Sequence, residues 1–160
     1  MKTFYTNALT VTLLISAISL SCGNKTQQEE PQQTTSPIIG TWRLLSGTLI
    51  EKGDTIVTDY TKNLSFIKII NDTHFAFLKH DLTKGKGPLA AYDSGGGTYS
   101  LKDSLYTEHL EYCTEREWED NTFRFTVTLQ NDTLVQRGVE KVAEAGIDRL
   151  NIERYVRVTQ

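Results

Sequence analysis

The 160 residues contain only two cysteines, Cys22 and Cys113. If Cys22 is modified, no internal disulfide is available. Cys113, alone on its strand, then reads as an inert small side chain rather than a nucleophile. No Cys/His cluster has zinc-ligand spacing, and His74, His80 and His109 are scattered. A basic surplus is missing too. The net charge is -3 with the cations dispersed, so there is no nucleic-acid footprint. The triple glycine Gly95–Gly97 lacks the lysine and following helix of a phosphate-binding loop. No nucleophile, metal set or cofactor motif stands out, and past Pro37 little of the chain has helical period.

What is present begins with a leader. Lys2 gives a basic start, Ala8 to Leu20 an apolar run broken by Thr and Ser, and Cys22 follows small residues. That is the layout of a secretory signal. The run is too short for a spanning helix, which needs roughly 20 apolar residues. Ser19-Leu20-Ser21-Cys22 resembles a bacterial lipobox, with leucine two places before the cysteine. The resemblance implies that residues 1–21 are a signal peptide and that Cys22 becomes a lipidated N-terminus. The protein is then expected in the bacterial cell envelope, tethered to a membrane and facing periplasm or cell surface. Residues 22–37 are polar and Gln-rich with prolines, a flexible linker. Residues 38–160 fit one domain.

Within that domain nine β-rich runs alternate with turn chemistry: 41–50, 55–60, 63–70, 73–80, 95–102, 105–113, 122–130, 133–139 and 150–158. Asn71-Asp72, Lys102-Asp103 and Asn131-Asp132 each read as a two-residue hairpin turn. Short strands at regular spacing with short turns predict an all-β, up-and-down antiparallel barrel of about 8–10 strands. Segment 140–148 reads as a helical turn or a loop. Residues 84–88 read as a mobile loop. Phe123, Phe125, Val127 and Leu129 alternate strictly with Arg124, Thr126, Thr128 and Gln130. Trp42, Leu44 and Ser46 are expected inside, as are Phe75 and Phe77. The three glycines at 95–97 mark a sharp bend or a close backbone approach.

Gly-x-Trp at 40–42, opening the first strand, resembles the signature of lipocalins. With "FIKIINDTHFAF", "GGGTYSLKDSLYTEHLEY", "FTVTLQNDTLVQRG" and "IERYVRV", the chain from Ile38 to Val158 looks like a bacterial lipocalin-like family of small secreted or lipid-anchored domains. The resemblance implies a barrel that holds a small apolar ligand, with Trp42 plugging the closed end and a last-strand arginine packed over it. Arg154 and Arg157 are both candidates. The pattern acid-x-aromatic-x-Arg favours Arg157, although the more apolar face of Ile152, Val156 and Val158 would leave it looking outward.

Strand 105–113 sets Glu108 on one face with Tyr106, Leu110 and Tyr112. Tyr99, Tyr106, Tyr112, Phe123 and Phe125, from three consecutive strands, are expected to line a ligand wall with Glu108 as its orienting polar group. A carboxylate there is costly unless paired, and Tyr hydroxyls or a barrel-facing Lys or Arg would compensate. The alternative places Glu108 at the mouth or bonded to tyrosines for packing alone. His109 and Glu111 are expected in water. Three function classes follow. The first is a monomeric, lipid-anchored carrier of a small apolar or amphipathic molecule, without cofactor. The second is an acid–base enzyme using Glu108 with Tyr106 or Tyr112. The third is a packed barrel that binds a protein partner.

Overall fold

The computed structural model describes Met1, residues 36–88 and residues 90–159. The expected signal segment, Cys22 and the linker up to residue 35 lie outside the described residues. Strands β1 (Gly40–Glu51), β2 (Asp54–Asp59), β3 (Leu64–Ile70), β4 (His74–Asp81) and β5 (Tyr92–Lys102) come first. They are followed by β6 (Leu105–Cys113), β7 (Thr122–Gln130), β8 (Thr133–Val142) and β9 (Ile147–Arg157). Each of the nine predicted runs overlaps one strand, with β5, β8 and β9 each extending three residues beyond the predicted run at one end.

Eight strands close into an antiparallel barrel, because β1 pairs with both β3 and β9. Closure leaves no free edge in that ring. The first part of β1, Gly40–Arg43, pairs with β3, and its second part, Ser46–Glu51, pairs with β2 on the same side. The ninth strand, β2, is therefore a hairpin flap at one rim, not a barrel stave. Its two-residue turn, Lys52-Gly53, has φ of 52° and 89°, the left-handed pair that a tight hairpin requires.

The connections sort by barrel end. Three tight turns, at 71–73, 103–104 and 131–132, lie at one end. Asp103 and Asn131 take the left-handed conformation, with φ of 56° and 53°. The middle hairpin thus turns on Asp103-Ser104, one residue later than expected, with Lys102 still paired to Leu105. The turn after β3 is held differently: the Asn71 carboxamide accepts from the amides of Thr73 and His74 at 2.9 and 2.7 Å. Longer loops cross the other end. The segment 140–148 is neither helix nor loop over most of its length. Glu140, Lys141 and Val142 end β8 and pair with Arg149, Asp148 and Ile147 of β9. In the loop after β4, the Asp81 carboxylate accepts from the amides of Thr83, Gly85 and Ala91 and from the Thr83 hydroxyl.

Two β-bulges reset the inside–outside alternation. In β1, Leu44 faces Tyr155 and Ser46 faces Arg154, so Leu45 is an extra residue. Past it Gly47 is buried and Ser46 is not, which overturns the inward placement of Ser46. In β6, Leu110 faces Gly97 and Tyr112 faces Gly96, so Glu111 is the extra residue. This bulge depends on glycine. A Cβ on Gly97 would lie 2.0 Å from the His109 carbonyl oxygen and 2.8 Å from the Glu111 amide nitrogen. Beyond the bulge Tyr112 turns out to solvent and Cys113 turns toward the core.

At the tight-turn end Trp42, Leu44, Ile70, Phe75, Leu134 and Tyr155 form the dense core, with Trp42 fully buried. The Trp42 indole donates to the Ile38 carbonyl at 2.7 Å. Arg157 lies over the indole, its guanidinium 4.1 Å from the ring centre, and donates to the carbonyls of Ile39 and Pro37. Gly40 makes room for it: its φ is 139°, and a Cβ there would lie 2.8 Å from the Arg157 Nη1. The expectation that Arg157 would look outward fails because β9 turns Asn151, Glu153 and Tyr155 inward with it, while Arg154 is exposed. The more apolar set, Ile152 and Val156, covers the outside of the barrel instead.

Candidate functional site

Above this core the barrel is hollow. A cavity of about 310 Å³ occupies the long-loop end. That is the low end of the range for small-molecule sites. Its apolar wall comes from Phe66 of β3, Phe77 of β4, Leu110 of β6 and Phe123 and Phe125 of β7. Phe66 and Phe77 stack with centroids 5.7 Å apart and planes 10° apart. Two aromatic residues from connecting segments close over the top. Tyr60 sets its edge on Phe66, and lies where a side chain on Gly47 would crowd it, 3.2 Å from the added Cβ. Trp118, in the 3-10 turn Arg116–Trp118, packs on Phe123 at 5.7 Å and takes the Arg149 guanidinium on its ring at 5.2 Å.

The floor is charged. Lys68 of β3 and Glu108 of β6, both buried, form an ion pair, and Lys68 also donates to the Gln136 carboxamide at 2.9 Å. Below the ammonium lie the rings of Phe75, Tyr106 and Tyr155, with centroids 5.2, 5.3 and 5.8 Å away. An ammonium taken this far from water needs such partners, because desolvation would otherwise outweigh the attraction. Burial pushes the Glu108 carboxyl above its usual range, and Lys68 pulls it back part of the way. Two further pairs stand higher on the wall: Arg149 to Glu140 at 2.7 Å, with Asn151 also donating to Glu140, and Lys79 to Asp93 at 3.0 Å. Among the described residues no group of three or more His, Cys, Asp or Glu is placed to hold a metal ion.

The structure divides the six side chains expected to line a ligand. Glu108, Phe123 and Phe125 face the cavity. Tyr99 and Tyr106 point inward but lie beneath the floor. Their rings are 5.3 Å apart, and the Tyr99 hydroxyl donates to the Asn71 carbonyl at the closed end. The Tyr106 hydroxyl is buried beside Glu108, and burial first, then the Glu108 charge, pushes its pKa far upward. Tyr112 is outside altogether, 68% exposed, because the Glu111 bulge flipped the end of β6. His109 and Glu111 are half-buried, not free in water.

Lys68, Gln136, Glu140, Arg149 and Glu153 were not anticipated. For Lys68 a signal exists in "LSFIKII", where Phe66 and Ile70 share its face, but Ile67 and Ile69 make the opposite face equally apolar. The Glu140–Arg149 pair escaped because its segment was not recognised as strand.

No protein-family model matches the chain, and no curated protein matches it. Among solved structures it is similar to an uncharacterized protein from Bacteroides eggerthii DSM 20697, at 14% identity. That likeness covers 75% of this chain and 98% of the other, with a TM-score of 0.45.

Proposed function

We propose that this chain is a lipocalin-like carrier, anchored to a bacterial membrane through Cys22, which holds a small amphipathic molecule inside its barrel. The observation that supports the reading is the cavity of about 310 Å³, walled by aromatic rings and floored by a buried ion pair. A barrel of this size either fills its interior with side chains or keeps room for one small guest. Here the upper half stays open because the polar groups of its floor and wall are bonded to one another and do not collapse onto the rings. An apolar body would then meet Phe66, Phe77 and Phe123, while polar groups orient it.

The acid–base alternative asked for a second ionisable group within reach of Glu108, and Lys68 is one. The two face each other, however, and Lys68 is held by Gln136 as well, so neither is free to serve a substrate. The packed-barrel alternative requires a filled interior at the mouth, which the cavity speaks against.

The test is native mass spectrometry of the full chain purified from its membrane, with Leu110→Trp as a variant that fills the cavity from its wall. A small-molecule adduct is expected on the wild type and not on the variant. No adduct, together with no thermal shift from any amphiphile of suitable size, would dispose of the carrier. Lipid labelling that persists in Cys22→Ala would dispose of the anchor.

A further inference from the structure

The charges around the cavity do not balance, and the imbalance specifies a guest. Each cation of its wall is already engaged: Lys68 by Glu108, Lys79 by Asp93, Arg149 by Glu140. Two carboxylates of the lining remain. Glu115 is exposed at the rim, while Glu153 of β9 is half-buried and faces inward between Asn151 and Tyr155. Among the described residues Glu153 is paired with no cation, and its contact is the Tyr155 hydroxyl, which donates to it at 2.8 Å. Its negative charge is felt across the site. After burial itself, Glu153 is the next cause raising the pKa of Tyr60, Glu140 and Tyr155. A half-desolvated carboxylate beside a second, buried one is an unfavourable arrangement that a bound cation would relieve.

We infer that the cavity selects a monocationic amphiphile, with its ammonium or amidinium group beside Glu153 and its apolar body against Phe66, Phe77 and Trp118. The inference rests on the reading of the cavity as a ligand site and adds the chemical class of the ligand. An anionic guest finds no free cation in this wall and meets the Glu153 charge. A neutral guest leaves that charge unanswered. A cationic guest gains the carboxylate and the ring of Tyr60, which attracts cations through its quadrupole.

Calorimetric titration of the full chain with phenylbutylamine, phenylbutanol and phenylbutyrate tests this, since the three share one body and differ in the charge of the head. At roughly 0.15 M salt the amine is expected to bind at least about tenfold tighter than the alcohol, and the carboxylate weakest. Glu153→Gln keeps an acceptor for the Tyr155 hydroxyl, so it should fold and lose the amine preference over the alcohol. Equal binding of amine and alcohol, or preference for the carboxylate, overturns the cationic guest but leaves a ligand cavity standing. An amine preference that survives Glu153→Gln also overturns the assignment. Binding by none of the three overturns the inference and the ligand cavity together.

Discussion

The two ends of the barrel are made by the same strands and have opposite characters. At the tight-turn end the inward positions carry Trp42, Leu44, Ile70, Phe75 and Leu134, packed without room for a guest and sealed by Arg157. At the long-loop end the inward positions carry rings mixed with Glu108, Glu140, Asn151 and Glu153, and a cavity remains. Apolar side chains interdigitate to fill space, because every void forfeits contacts. Polar groups that bond one another across a wall keep their geometry and hold space open. The Lys68–Glu108–Gln136 layer is the boundary between the two regimes.

The sharpest way to break this contrast is to hollow the filled end. Trp42→Ala removes the largest fully buried side chain, its bond to Ile38 and the seat of Arg157. A loss of about 3–5 kcal/mol is expected in urea unfolding. A loss under about 1 kcal/mol would mean that this end is not the stabilising core. Next comes the boundary. Lys68→Met leaves Glu108 buried without its cation and should cost about 3 kcal/mol, whereas Lys68→Met with Glu108→Leu should recover most of it. A double variant as unstable as the single would show that the pair holds the barrel by something other than mutual charge.

Arg157→Ala should cost about 1–2 kcal/mol through the lost stacking on Trp42 and the lost bonds to Ile39 and Pro37, and should leave ligand affinity at the far end unchanged. Altered affinity would couple the two ends, contrary to the division drawn above. The smallest effect is expected from the Asp81 loop at the rim. The Thr83 hydroxyl first, then the amides of Ala91 and Gly85, hold the Asp81 carboxyl well below the carboxylate range. The folded state therefore binds fewer protons there than the unfolded state. That contribution is complete above the unfolded value of about 4 and is lost as pH falls below it. Asp81→Asn should flatten this acid limb. An unchanged acid profile would remove the loop from the account.

Much of the barrel was legible because strand chemistry is local. Alternation in "TFRFTVTLQ" and turn residues at Asp103 and Asn131 report on neighbours in sequence, and the nine strands followed. The inward set was legible only between bulges. An extra residue at Leu45 or Glu111 leaves no mark in composition, yet it turned Ser46 and Tyr112 outward and brought Gly47 and Cys113 in. Glu108 stood out because a carboxylate among apolar residues is conspicuous on one strand. Its partner Lys68 did not, because both faces of β3 are apolar and the pair joins residues forty positions apart.

By itself the sequence determined an all-β chain, its strands and most of its turns, because these depend on backbone preferences and on side chains one or two residues apart. Only the closed tertiary structure decided which end is solid, which carboxylate keeps no cation, and that a hollow exists at all. Those depend on how side chains from different strands share one interior volume, a quantity that arises only when β1 meets β9.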